Sequence, residues 1–260
     1  MSKKRFKKIE IGNCTLYNGD CFDILPTLDI EAHAVISDMP YGITSCKWDK
    51  ALPLARFWEV VKSKAIPTAN FVLFACGKFT IDLVNSNRKW YRSDLIWVKN
   101  NQVGFLNAKK QPMRNHESIL VFAQPGYKNK TTYNPQKEPG GRKAGIVSKN
   151  NTNNVYRLEG SYTGISDGMR HPGSVLFFKH DRGNNQKGYH PTMKPLALME
   201  FLIRSYSHEG DLVIDPFMGS GTTGLACSRL NRKFIGIELE SEYYKMAIER
   251  IKNQCSVGKE

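Results

Sequence analysis

Short apolar runs rich in β-branched and aromatic residues recur along this chain, separated by stretches long enough to carry crossover helices. This alternation is the pattern of a mostly parallel α/β sheet. The expected strands are Thr15–Tyr17, Ala34–Ser37, Phe71–Ala75, Asp94–Val98, Ser118–Ala123, Leu212–Ile214 and Lys233–Ile237, about seven in one sheet. Leu54–Lys64 and Thr80–Asn85 read as helices between them. Pro195–Tyr206 is a further helix, with proline in its first turn and Leu198, Phe201, Leu202 and Ile203 on one side. The last runs from about Glu242 to Lys252, with Tyr244, Ala247, Ile248 and Ile251 on one face. A chain of 260 residues, 40% of them hydrophobic, can bury a full core of this kind.

Two of the strands run into turns that carry chemistry. Asp211–Asp215 leads directly into Gly219-Ser220-Gly221-Thr222-Thr223-Gly224, followed by a helical stretch, Leu225–Leu230. Glycines there permit tight backbone geometry and close ligand approach, and free N–H groups opening the helix favour an anion such as a carboxylate. Glu238 ends the next strand, where a carboxylate can accept hydrogen bonds from ribose hydroxyls. The glycines also match the dinucleotide fingerprint of dehydrogenases, but only one helix follows Glu238, with no second nucleotide-binding half. A P-loop is disfavoured because no Gly-Lys-Ser/Thr follows. Near the other end, Asp38-Met39-Pro40-Tyr41 closes a strand with a carboxylate, a turn and an aromatic ring, a set suited to gripping a planar, amino-bearing base.

Charge points to the partner. Lys and Arg total 38 against 24 acidic residues, a formal net charge of +14, which favours a polyanion through counterion release. The excess is concentrated. Pro125 to about His190 breaks the strand–helix alternation with Gly, Asn, Pro, Lys and Arg, and has one clear apolar run, Val175–Phe178. Tyr127, Tyr133, Tyr156, Tyr162 and Tyr189 are interleaved with its cations, a mixture suited to phosphate and base contacts. A structureless loop of that length is unusual inside a domain, so it reads as an inserted lobe. The basic stretch Lys3–Lys8 reads as a solvated tail. Six cysteines form no Cys-x-x-Cys pair, so neither a metal site nor a disulfide framework is expected. With no apolar run approaching a membrane span, a cytoplasmic location and no membrane partner are expected.

The ordered set of motifs resembles the S-adenosylmethionine-dependent DNA amino-methyltransferases in their permuted beta arrangement. The resemblance rests on Asn18-Gly-Asp20-Cys, Asp38–Tyr41, Trp48-Asp49, Arg114–Phe122, His190–Pro195 and Asp215–Thr223, and covers most of the chain. It implies a Rossmann-like methyltransferase fold with a seven-stranded, mostly parallel sheet and helices on both faces. Residues 1–124 would form the catalytic half, 125–189 a target-recognition insertion and 190–260 the cofactor-binding half. By the same resemblance Phe217, Gly219 and Gly221 line the S-adenosylmethionine site, with Asp38, Asp215 and Ser220 counted in it. Thr222 and Thr223 lie near the cofactor carboxylate, Glu238 holds the ribose, Asp20 meets the adenine amino group, and Lys194 with Pro195 closes over the methionine end. Asp at the first catalytic position resembles adenine-N6 enzymes acting on double-stranded DNA; cytosine-N4 methylation and a DNA-binding relative without catalysis are the alternatives. A homodimer and a cognate restriction endonuclease are partners of similar proteins.

The catalytic chemistry follows from the amino group itself. Its nitrogen lone pair is delocalised into the ring, so it is a poor nucleophile until both hydrogens are held and the lone pair is turned toward an electrophile. The Asp38 side chain supplies one acceptor, a carbonyl of the Met39-Pro40 turn the other, and Tyr41 stacks on the base. Orientation then accounts for much of the rate, with no metal required. The base must first leave the duplex stack. Met39 stands where the family usually has proline, which keeps the carbonyl and makes the turn less rigid. Trp48 and Asp49 are candidates for a mobile loop. His116 and Glu117 read as the start of a strand, and His190 as structural.

Overall fold

The computed structural model describes residues 6–42, 52–127, 130–140, 147–150, 161–164, 167–179 and 193–257. In chain order the elements begin with β1 (Lys7–Ile11), β2 (Cys14–Asn18), α1 (Cys21–Ile24), β3 (Ala32–Ser37), α2 (Leu54–Lys62), β4 (Ala65–Ala75) and α3 (Lys78–Ser86). There follow β5 (Tyr91–Val103), β6 (Arg114–Ala123), β7 (Glu138–Pro139), β8 (Val147–Asn150), β9 (Ser161–Gly164), β10 (Met169–Arg170) and β11 (Val175–Phe177). The last are α4 (Leu196–Tyr206), β12 (Leu212–Asp215), α5 (Thr222–Arg229), β13 (Lys233–Glu238) and α6 (Ser241–Val257).

One nine-stranded sheet runs β1-β2-β13-β12-β3-β4-β6-β5-β11. Its centre, β2 through β4, is parallel throughout. β6 is antiparallel to both β4 and β5, β1 is antiparallel to β2, and β11 is parallel to β5. The sheet is therefore larger than the seven strands expected. β1, Lys-Lys-Ile-Glu-Ile, has mostly exposed side chains and so lacks an apolar run to betray it. β11 comes from the apolar run inside the segment read as an insertion, and it extends the main sheet through Val175–Phe177 alongside Ile96–Val98.

The central strands are apolar on both faces because both faces are covered. Alternate residues divide between two cores. Ala34, Ile36, Val72, Phe74 and Val213 meet Leu198 and Leu202 of α4, Ala226 of α5 and Ala247 and Ile251 of α6. Val35, Phe71, Leu73 and Ile214 meet Phe57, Trp58 and Val61 of α2 and Phe79 and Leu83 of α3. Period-two alternation thus sorts one strand's side chains into two helical layers.

Contacts divide the chain into two compact units, Met1–Asn134 with Ser174–Glu260, and Pro135–Gly173. The second holds two antiparallel pairs, β7 with β10 and β8 with β9, and a Lys137–Asp167 ion pair at 3.0 Å. Residues 130–134 belong to the main unit: Asn70 Nδ2 donates to the Thr132 carbonyl at 2.8 Å, and Asn134 Nδ2 to the Arg204 carbonyl at 3.1 Å. Cys14, Cys21, Cys76 and Cys227 are buried; Cys46 lies outside the described residues. No described helix is long and apolar enough to cross a membrane.

Gly221 fixes how closely α5 approaches α6. It has φ +79°, and a Cβ there would lie 2.7 Å from the Ala247 Cβ and 3.1 Å from its Cα, part of the α6 backbone. Gly221→Ala is expected to destabilise the protein by about 2–3 kcal/mol through overpacking and left-handed strain, read by denaturant unfolding. Gly219, at φ +52° with open space where a Cβ would go, is expected to lose only about 1 kcal/mol on the same change.

Candidate active site

The two motifs meet at neighbouring strand tips. β3 and β12 pair through Ala34–Val213 and Val35–Ile214, which brings Ser37 beside Asp215. Ser37 Oγ donates to Asp215 Oδ1 at 2.6 Å, and the Phe217 amide donates to the same oxygen at 3.1 Å. Thr223 Oγ1 donates to Asp215 Oδ2 at 2.6 Å. Asp215 is 2% exposed, and burial pushes its carboxyl up to about 6 against the pull of these donors. Its oxygens thus organise the turn and tie it to β3.

The glycine-rich turn is held from its other side by β13. Glu238 Oε2 accepts from the Gly219 amide at 2.9 Å and Oε1 from the Glu240 amide at 2.8 Å. Burial raises its carboxyl to about 7, the two amides opposing. β13 pairs with β2, Glu238 opposite Asn18, and the Gly19 amide donates to the Glu238 carbonyl at 2.9 Å. Asp20, exposed, then caps α1, its Oδ1 accepting from the Phe22 amide at 2.8 Å. Asp20 and Glu238 therefore stand at adjacent strand ends.

The hydroxyls assigned to the cofactor have protein partners. Arg250 Nη1 donates to the Ser220 carbonyl at 2.7 Å, Ser220 Oγ at 2.9 Å and Thr222 Oγ1 at 3.0 Å. Thr223 is engaged by Asp215, and Gly221 packs on α6. Of the turn residues, Phe217 and Gly219 are the partly exposed ones. Arg250 escaped the sequence reading because nothing local ties a C-terminal helix residue to a turn 30 positions earlier.

Asp38 begins a buried chain of alternating charge. Its Oδ1 accepts from the Tyr41 hydroxyl at 2.6 Å and its Oδ2 from Lys194 Nζ at 2.5 Å. Lys194 also pairs with Glu117 Oε2 at 3.2 Å, and Lys99 reaches Glu117 Oε1 at 2.7 Å. Lys194 Nζ lies 5.0 Å from the centre of the Phe74 ring. Side-chain exposures of 27% for Asp38, 7% for Lys194, 12% for Glu117 and 11% for Lys99 leave Asp38 the most accessible member. Burial works against the Glu117 anion, but Lys194 and Lys99 bring its carboxyl down to about 2. Burial likewise works against the Lys194 cation, but Asp38 and Glu117 raise it. Asp38 is pushed up by burial and by Glu117, with Lys194 and Tyr41 opposing.

Met39, the departure from the family pattern, is 2% exposed in the core shared with α2 and α3, so its side chain anchors the turn by packing. Pro40 is half-buried. Tyr41 is half-buried too, its ring centre 5.2 Å from Phe79, while Phe217 lies 6.2 Å from Phe57. Trp48, Asp49 and His190 fall outside the described residues. His116 and Glu117 lie within β6, as the sequence indicates, but Glu117 has a second role in the charge chain that its strand position hid. Among the described residues no group of three or more His, Cys, Asp or Glu could hold a metal.

A DNA methylase family model of the N6/N4 type matches residues 32–249, from β3 through the middle of α6. The chain belongs to this family of S-adenosylmethionine-dependent DNA amino-methyltransferases. It is 48% identical to the type II methyltransferase M.HindIII of Haemophilus influenzae, over 94% of this chain and 98% of that protein. Against M.HpaI of Haemophilus parainfluenzae identity is 46%, over 54% of this chain and 39% of that protein. The crystal structure of the M1.HpyAVI-SAM complex superposes with a TM-score of 0.59 at 28% identity, covering 92% and 98% of the two chains. PvuII DNA methyltransferase, described as cytosine-N4-specific, shares the fold with a TM-score of 0.64 at 20% identity, covering 92% and 86%.

Lys194 neutralises two buried carboxylates. Lys194→Met is expected to lower the unfolding free energy by about 3 kcal/mol, since Asp38 loses its countercharge and Glu117 keeps Lys99 alone, and adding Asp38→Asn should recover part of that loss. Chemical denaturation of the single and double variants measures both.

Proposed function

We propose that this DNA methyltransferase transfers a methyl group to the N6 amino group of adenine in double-stranded DNA. The observation that carries the reading is the junction of Asp38 and the Gly219 turn at adjacent strand tips, tied by Ser37 and Asp215. The fold alone does not select the base, because the PvuII enzyme shares it. Adenine is favoured by the carboxylate at position 38, the residue type that the resemblance associates with N6 chemistry.

The site fits the cofactor. Gly219 faces open space, while Glu238 and Asp20 present carboxylates at neighbouring strand ends, suited to ribose hydroxyls and to an adenine amino group. S-adenosylmethionine supplies an electrophilic methyl group. Everything else falls to the chain. Both Asp38 oxygens accept one hydrogen bond each, and a carboxylate oxygen has a further lone pair for an amino hydrogen. Lys194 favours the ionised form of that carboxylate and fixes its rotamer. The Met39-Pro40 turn contributes a carbonyl, held in place by the buried Met39 side chain, and Tyr41 offers its ring to the extruded base. Residues 125–189 read the flanking sequence through cations and tyrosines in this proposal. A second copy of the chain and a cognate restriction endonuclease belong to it on family grounds alone.

Unmethylated genomic DNA incubated with labelled cofactor is expected to acquire label. Asp38→Ala should cut transfer by roughly a hundredfold or more while cofactor binding persists. Full activity in that variant would remove Asp38 from the reaction.

Glu238 gives a pH signature. To accept ribose hydroxyls it must be an anion, so binding favours its deprotonated form and releases a proton at any pH below about 7. Cofactor affinity is expected to rise from pH 6 to 8 and then level off. In Glu238→Gln affinity should be lower and this rise absent, both measured by calorimetric titration.

A further inference from the structure

The hairpin joining β5 to β6 reaches beyond the sheet edge that carries the site. Trp97 pairs with Glu117 at its root, where Glu117 connects through Lys194 to Asp38, so the root is fixed relative to the reacting centre. β4 stops at Ala75, opposite Ser118, whereas the hairpin continues outward. Arg114 lies against Gly77, just past the end of β4, where a Cβ would sit 2.9 Å from Nη2.

From Gln102 to Pro112 every residue is exposed. At the tip stand Phe105 and Leu106, 79% and 96% exposed, with Val103 at 47% below them. These are costly residues to leave in water. The tip is nonetheless ordered: Gly104 opens a single 3₁₀ turn, and the amides of Asn107, Lys110 and Gln111 close on the carbonyls of Gly104 and Asn107 at 2.8–3.0 Å. Lys109 and Lys110 follow it, and no acidic residue occurs from Lys99 to His116. Two apolar side chains cannot supply the ~800 Å² per partner of a stable protein interface. An apolar wedge beside a pair of lysines does match a base stack beside its phosphates.

We infer that the β5–β6 tip is a DNA wedge, with Phe105 and Leu106 entering the stack beside the target nucleotide while Lys109 and Lys110 lie on the backbone. The inference rests on the methyltransferase reading and adds how the base is made to leave the helix: apolar side chains offset the stacking lost on extrusion.

The test uses the full chain and an oligonucleotide duplex bearing its own target site, located by mapping the methylated positions. The double variant Phe105→Ser/Leu106→Ser, first shown to melt and bind cofactor as the parent does, is assayed on two duplexes. One is fully paired; in the other the target base faces an abasic position, where extrusion is easy. Methylation is expected to fall roughly tenfold or more on the paired duplex and about twofold or less on the abasic one. Equal loss on both, or no loss on either, would overturn the wedge and leave the methyltransferase reading intact. So would a loss that accompanies dissociation of a dimer in sedimentation, which would assign the tip to a second copy of the chain. A parent protein that methylates no DNA would sink the underlying reading, and the wedge with it.

Discussion

A buried carboxylate that accepts hydrogen bonds from a neighbouring strand tip, its own turn and a helix start is the constraint on which the site depends. Asp215 receives Ser37 from β3, the Phe217 amide from its own turn and Thr223 from α5. In sequence these contacts span as many as 178 positions; in the sheet they are nearest neighbours, because β12 slots between β3 and β13. A parallel sheet whose order departs from chain order places loops from distant segments at one edge, where ligands of open α/β sheets bind. The early motif with Asp38 and the late motif with Gly219 therefore face a common edge.

Electrostatics extends that edge inward. Lys99, Glu117, Lys194 and Asp38 alternate in sign, with successive contacts of 2.7, 3.2 and 2.5 Å. Desolvating four charges is expensive, and a chain of this kind is tolerated because each inner member has an opposite charge on both sides. Its use lies in definition of geometry. Burial pushes the Asp38 carboxyl up, and Lys194 and Tyr41 oppose that shift while holding one rotamer. The same chain links Asp38 to the root of the β5–β6 hairpin, so the Asp38 turn and the hairpin share one support.

Much of this was legible from residues alone. The apolar runs that became β3, β4, β6, β12 and β13 are buried by helices on both faces, which is why they stood out, and the turns closing β3 and β12 carry motifs too specific to overlook. What escaped has a common cause. β1 shows alternating, charged residues at a sheet edge, Arg250 acts across 30 positions, and Glu117 meets Lys194 only after folding. Long-range pairings leave no local periodicity. Lys194 illustrates the limit: its contact with Asp38 is visible only in three dimensions. Met39, which stands where the family usually has proline, has its side chain packed at 2% exposure.

The central claim is that these joined strand tips direct a methyl group to an adenine amino nitrogen. Mass analysis of nucleosides from duplex DNA, hydrolysed after incubation with the protein and isotopically labelled S-adenosylmethionine, tests it most directly. Label recovered in N6-methyladenosine's deoxy form is the predicted result; label in N4-methyldeoxycytidine, or in no nucleoside at all, would contradict it.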